Sequence, residues 1–246
     1  MERKGTTVNT NTVKEDCYGI IGAMENEVAM IRQSMLVTQT EHIAGLEFSV
    51  GMIGEKKVVL VQSGIGKVNA GICAQILILQ FGATKIINTG VAGALSEDLD
   101  IGDMVLPSEA VQHDFDVSVI GFQKGEIPYS GLVAFPADTS LQASARDAIT
   151  TLYPDFRICE GRICSGDQFI ATVEQKKAIV SDFGGLCCDM ESGAIAQVCH
   201  LNGIPWVILR AISDKVDGTG DSQFESFADL AAHCSSSVVV QMLSKA

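Results

Sequence analysis

Two short stretches of this chain carry side chains that could do chemistry on a small molecule. They are Asp189-Met190-Glu191 and, further along, Arg210-Ala211-Ile212-Ser213-Asp214. An apolar run of strand length leads into each, and in an open α/β sheet ligands bind at the carboxyl ends of the strands. Carboxylates there could take or give protons, and an arginine could orient them. The same residues admit a structural reading, in which Glu191 caps a helix and Asp214 begins a turn.

The ends of the other apolar runs enlarge the set. Met24 to Glu27 brings two more acids, Glu25 and Glu27, while Ser63 to Gly66 and Thr89 to Gly93 bring small residues that let a ligand approach the backbone. Ser165-Gly166-Asp167-Gln168-Phe169-Ile170 puts Phe169 in a loop, where it could stack on a flat heterocycle or fill the core. No histidine falls in these segments, so no Ser-His-Asp or Cys-His order is formed. Gly64-Ile65-Gly66-Lys67-Val68-Asn69 fails two cofactor fingerprints. A dinucleotide loop needs glycine at Asn69, and a P-loop needs Ser or Thr at Val68. Glycines at a helix start still suit an anion, or simply a tight turn.

The elements that must position these groups alternate along the chain. Strands are expected at Tyr18–Met24, Phe48–Ile53, Val58–Val61, Lys85–Asn88, from Asp103, and at Arg157–Cys164, Leu186–Met190 and Trp206–Ser213. Gly54-Glu55-Lys56-Lys57 makes the second and third of these a hairpin. Helices are expected around Val28, Ile31 and Met35, after Gly66 with Val68, Ile72, Cys73, Ile76 and Leu79 on one face, and over Ser140–Leu152, Val173–Asp182, Ser192–His200 and Phe224–Leu243. Residues 114–137, rich in Gly and Pro, read as loop. This alternation implies one α/β domain around a mostly parallel sheet with antiparallel pieces.

Composition narrows the partners. With 17 basic and 30 acidic side chains the net charge is −13, a surface that repels nucleic acid and anionic membranes and suits a small neutral or cationic substrate. No apolar run reaches the roughly 18 residues of a membrane helix. Residues 1–16 are polar, unlike a signal peptide, and are expected to be a disordered extension outside a domain of residues 17–246. The eight cysteines lack a C-x-x-C pair, and neither they nor the four histidines have zinc-ligand spacing. Free thiols in a reducing cytoplasm, with no metal and no cofactor, are the expectation.

Six motifs in order give the chain a family resemblance. Ile21-Gly22-Ala23-Met24-Glu25-Asn26-Glu27-Val28, Ser63-Gly64-Ile65-Gly66-Lys67-Val68, Ile87-Asn88-Thr89-Gly90, Ser165 to Ile170, Asp189-Met190-Glu191 and Arg210 to Asp214 closely resemble bacterial 5′-methylthioadenosine/S-adenosylhomocysteine nucleosidases of the purine nucleoside phosphorylase superfamily. The resemblance runs from about Gly19 to the C-terminus. It implies a single-domain three-layer α/β/α, phosphorylase/hydrolase-like fold with a central mixed β-sheet. It implies hydrolysis of the adenine N-glycosidic bond of methylthioadenosine, S-adenosylhomocysteine and 5′-deoxyadenosine, in methionine salvage and recycling of S-adenosylmethionine by-products, by a cytoplasmic homodimer.

Carried over motif by motif, Glu27 is the base that activates water, a choice over Glu25 that the residues alone do not make. Asp214 protonates adenine N7 beside Ser213, Glu191 holds the ribose hydroxyls, and Met190 packs on the ribose. Arg210 places water and acids, Phe169 stacks on adenine, and the backbone of Ile170 reads its Watson–Crick edge. Met24, Ile65 and Phe224 would line the 5′ slot, with Val117, Ile120 and Pro128 lent by a second subunit. The sequence departs from the family pattern at Val91, where serine is common, at Asp189, where glutamate is common, and at Ile120, where an aromatic is common. Val91 leaves the hydrogen bonding of the base open, and Ile120 bears on the choice of 5′-substituent. Rival readings are a nucleoside phosphorylase, which would need cations at the glycine loops, a hydrolase of 6-amino-6-deoxyfutalosine, and a non-catalytic adenosine binder.

Overall fold

The computed structural model describes residues 16–217 and 220–244, so the expected extension lies outside the described residues save for Asp16, which pairs with Lys85. In chain order the elements are β1 (Cys17–Gly22), α1 (Glu25–Ser34), β2 (Leu36–Ile43), β3 (Leu46–Ile53), β4 (Lys56–Gln62), α2 (Lys67–Leu79), β5 (Lys85–Ala94), β6 (Met104–Gln112) and β7 (Ala134–Pro136). There follow α3 (Thr139–Leu152), β8 (Ile158–Ser165), α4 (Val173–Phe183), β9 (Cys187–Asp189), α5 (Ser192–Asn202), β10 (Trp206–Asp214) and α6 (Gly220–Ser244).

The strands form one mixed sheet. Its open arm runs β2-β3-β4-β1-β5; beyond it, β5, β10, β6, β8 and β9 close into a ring, because β5 pairs with both β10 and β9. The β1–β4, β1–β5, β5–β10, β6–β8 and β8–β9 pairs are parallel, and β2–β3, β3–β4, β5–β9, β6–β10 and β6–β7 are antiparallel.

Strict side-chain alternation divides the interior into two layers. In β4, Val58 and Leu60 face the layer of α1, α3 and α6, and Val59 and Val61 face the layer of α2 and α5. In β10, Val207, Leu209 and Ala211 join the first, and Trp206, Ile208 and Ile212 the second. Both faces are covered, which is why these strands read as unbroken apolar runs. Among the described residues no helix is long and apolar enough to cross a membrane.

Three expectations need correction. The face of α2 named from the sequence is only partly the buried one: Cys73 is buried and Ile76 packs partly against the core, but Val68, Ile72 and Leu79 are 72%, 43% and 73% exposed, and Ala70, Ala74 and Leu77 are buried beside Cys73. The helix is apolar on nearly every side, so periodicity could not choose, and its small residues are the ones that pack closely on α5 and the sheet. Thr89-Gly90-Val91-Ala92-Gly93 is not a loop after a short strand. β5 continues through it to Ala94, paired first with β10 and then with β9. Finally β2 was unforeseen, and residues 114–137 contain a short 3-10 turn at Ser118–Ile120 and the strand β7.

Candidate active site

The carboxyl ends of β1, β5, β9 and β10 and the starts of α1, α2 and α5 meet around one pocket. Its lining includes Met24, Glu27, Ile65, Val91, Phe169, Ile170, Met190, Glu191, Ser213, Asp214 and Phe224, all singled out from the sequence. Ala23, Ala92, Gly93, Gln168, Cys188 and Asp189 complete the lining. Arg210 is absent from it and sits behind the floor; Val117, Ile120 and Pro128 do not line this chain's pocket either, and Ile120 is 69% exposed.

Glu27 is the third residue of α1, from which a carboxylate can reach back to the start of its own helix. Its Oε2 accepts from the backbone N–H of Ala23 at 2.6 Å and of Met24 at 3.0 Å, and its Oε1 accepts from Val91 N–H at 3.1 Å. Although Val91 brings no hydroxyl, its backbone amide reaches the carboxylate. Burial holds the Glu27 carboxyl above the usual carboxylate range, opposed by the charge of Arg210 and these three amides. Gly90 permits the arrangement, since a Cβ there would lie 2.4 Å from Glu27 Oε1 and 2.8 Å from Arg210 Nη1.

Glu191 occupies the cap position of α5, yet its side chain does not cap that helix. Asp189 does so, accepting from Ser192 N–H at 3.2 Å. Glu191 Oε1 accepts instead from Gly66 N–H at 2.9 Å, at the start of α2. Burial first, and the charge of Asp189 second, push its pKa up to about 7. Arg210 is 2% exposed and donates to Asp189 Oδ2 from Nε at 3.1 Å and Nη2 at 2.5 Å, and to Asn88 Oδ1 at 2.6 Å. Ser165 Oγ holds the other oxygen of Asp189 at 2.5 Å, so the shorter acid still reaches the arginine. A buried ion pair of this kind is satisfied by a full set of partners rather than by Coulomb attraction alone.

Asp214 ends β10. Its Oδ2 lies 3.1 Å from the donor Ser213 Oγ, and its Oδ1 accepts from Lys176 Nζ at 2.7 Å. Burial raises its pKa, and Lys176 and Ser213 oppose the rise. Phe169 and Phe224 meet edge to face, centroids 5.5 Å apart, at the half-open side of the pocket.

The helix-start amides of the glycine loop are already engaged. Gly66 N–H is on Glu191, and Lys67 N–H is on Asp167 Oδ1 at 2.8 Å. Lys67 Nζ is 2.5 Å from Asp114 and 3.2 Å from Gln112 Oε1. Asp114 also accepts from Asp167 N–H at 2.9 Å, tying the segments after β4, β6 and β8 together.

Lys176, Asn88, Ser165 and Ser192, which bond to Asp214, Arg210 and Asp189, are the neighbours of the site that the sequence did not single out. Lys176 had a signal: it shares the inner face of α4 with Ile179 and Phe183, at helical spacing, where a lysine must find a counter-charge. Asn88 and Ser165 stand within motifs that the resemblance rests on, and Ser192 directly follows Glu191, but nothing in the sequence pointed to a role for any of the three.

Similarity to known proteins points the same way as the geometry. The profile of the phosphorylase superfamily matches residues 18–244. The 5′-methylthioadenosine/S-adenosylhomocysteine nucleosidase of Shewanella denitrificans is 41% identical over 228 residues, covering 92% of this chain and 98% of the relative. The crystal structure of the enzyme of that name from Neisseria meningitidis, in complex with methylthio-immucillin-A, superposes with a TM-score of 0.89 at 35% identity, covering 93% of this chain and 99% of that one. The native structure of futalosine hydrolase of Helicobacter pylori gives a TM-score of 0.88 at 33% identity, covering 94% and 98%.

Proposed function

This chain belongs to the phosphorylase superfamily, and on that premise we propose that it hydrolyses the N-glycosidic bond of 5′-methylthioadenosine and S-adenosylhomocysteine, releasing adenine and the 5-substituted ribose, in methionine salvage. One observation carries the choice of water over phosphate as nucleophile. The amides and the lysine at the glycine loop, where an anion would be held, are occupied by Glu191, Asp167 and Asp114. Glu27 would further repel phosphate at the point of attack.

In this reading Glu27 takes the proton of the attacking water, and the neighbouring charge of Arg210 helps keep it ionised. Asp214 gives a proton to N7, so adenine leaves neutral. Glu191 binds the ribose hydroxyls and offsets positive charge on the sugar, which Met190 packs against. Adenine stacks on Phe169, with Phe224 edge-on, and the backbone of Ile170 meets its Watson–Crick edge. Adenine release is expected to proceed at the same rate with and without inorganic phosphate, followed by the loss of nucleoside absorbance in a coupled assay. Strict dependence on phosphate would overturn hydrolysis.

The likeness to a futalosine hydrolase favours one second reading, 6-amino-6-deoxyfutalosine, which shares the adenine and ribose ends. Comparing kcat/KM for the three nucleosides in that same phosphate-free assay decides between them.

We assign the exposed stripe Val68, Ile72 and Leu79 of α2, continuous with half-exposed Ile65 at the pocket, to contact with a second copy of the chain. That copy would lend Val117, Ile120 and Pro128 to the 5′ slot. The double variant Val68→Asp/Ile72→Asp is expected to sediment as a monomer and to bind methylthioadenosine at least about tenfold more weakly. Unchanged sedimentation would remove the assignment. Eight free thiols, seven of them buried, fit a reducing cytoplasm as its location.

A further inference from the structure

Behind the pocket, Lys176 of α4 has no exposed surface, and its ammonium donates to Asp214 Oδ1 at 2.7 Å and to the main-chain carbonyl of Lys215. It does not line the pocket, so it meets the carboxyl from the side opposite to a ligand. Strand β5 closes a third side, for a Cβ on Gly93 would lie 3.0 Å from both carboxyl oxygens. The carboxyl is therefore clamped by α4, β5 and its own strand. Ser213 Oγ has a single proton and two acceptors in reach, Asp214 Oδ2 at 3.1 Å and Ala92 O at 3.3 Å. It can turn to Ala92 and leave Oδ2 free to carry a proton.

We propose that Lys176 is the positioning residue of the acid, fixing the Asp214 carboxyl through Oδ1 so that Oδ2 faces the purine and meeting the negative charge that forms there as the glycosidic bond breaks. This rests on Asp214 being the acid of the proposed hydrolysis. In the step itself the proton leaves Oδ2 for N7, the electrons of the bond to the sugar go to the purine, and adenine departs neutral. Asp214 is left as a carboxylate beside an ammonium already in place, the kind of preorganised charge that lowers a barrier.

Among the described residues, the groups that face Asp214 are few. Lys176 approaches from α4, and Cys188 from β9 with its thiol pushed well up and so uncharged. Asp217, just past β10, adds a negative charge that favours the protonated form, while β5 presents Gly93. Burial is the largest influence and favours the protonated form; Lys176 is the chief charge opposing it. Removing that ammonium raises the pH at which Asp214 loses its proton, so the basic limb of the rate profile moves upward.

The test is kcat/KM and kcat against pH for the full chain and for Lys176→Met, Lys176→Arg, Asp214→Asn and the Lys176→Met/Asp214→Asn double variant. Lys176→Met should move the basic limb up by about one pH unit or more and lower plateau kcat by roughly tenfold to a hundredfold. Lys176→Arg should restore the limb. In the Asp214→Asn background Lys176→Met should cost nothing further in kcat, because it acts through the acid alone. If Lys176→Met does not fold, Lys176→Gln, which keeps a donor without the charge, is read in its place. An unmoved limb, or a full additional kcat loss in the double variant, overturns the role of Lys176. Asp214→Asn near the wild-type rate overturns the acid assignment itself.

Discussion

Asp214→Asn is expected to lower kcat by about 10²–10⁴-fold while changing nucleoside affinity little. The amide is nearly isosteric. Its oxygen can still accept from Lys176 at the place of Oδ1, and its NH₂ can still donate to N7 at the place of Oδ2. A hydrogen bond to N7 survives, but proton transfer does not, and the purine must leave as an anion. The loss therefore falls on kcat rather than on KM, as for an interaction made fully only in the transition state. Lys176 is left facing a neutral partner, so stability should fall, by less than the about 3–5 kcal/mol of deleting one member of a buried pair. Single-turnover rates beside equilibrium binding of methylthioadenosine check both parts. A variant that turns over near the wild-type rate, or one that no longer binds, contradicts the assignment.

Glu27→Gln is the second large effect. Three N–H groups converge on this carboxylate, from Ala23, Met24 and Val91. A glutamine has one carbonyl oxygen to offer, so its NH₂ must face at least one of these donors, which costs about 1–3 kcal/mol in a buried site. Beyond that, the water loses its base, and kcat should fall about 10²–10⁴-fold. The pH profile identifies the cause. Burial raises the pKa of both Glu27 and Glu191, and in the proposed reaction both act as carboxylates, so activity is expected to fall as the pH drops below their raised pKa values. The wild-type kcat/KM should drop by about two decades per pH unit on the acidic side, and that of Glu27→Gln by about one. A slope that the substitution leaves unchanged would mean that another group takes the proton.

The pocket floor was legible in the sequence more completely than the frame around it. Glu27, Glu191, Asp214 and the ring of Phe169 stand in motifs at the ends of apolar runs, and the pocket gathers all of them. Arg210 was legible as a charge near the site but not as one held behind it, because whether a strand residue faces the pocket or the interior depends on the neighbouring strand. Its partners Asn88 and Ser192, and Ser165 on the far oxygen of Asp189, are short polar residues that become a network only when β5, β8, β10 and the start of α5 lie together. The inner face of α2 was misjudged because burial there is decided by how close a small side chain lets two elements come, not by hydropathy. The continuation of β5 through two glycines was hidden for a related reason. Those glycines read as a loop, yet each is needed where a carboxylate presses on the strand.

The closed ring leaves β5, β6, β8, β9 and β10 with partners on both sides, so the open arm ends at β2. There a second chain could add itself through unpaired backbone groups. Leu36 and Val37 are exposed at its start, but Thr38, Gln39, Thr40, Glu41 and His42 follow, a polar row in which Gln39 already bonds Glu41 at 2.9 Å. A charged, hydrated edge makes a poor template for growth of the sheet. The polarity that kept β2 from being read as a strand thus guards the molecule against self-association into extended β-structure.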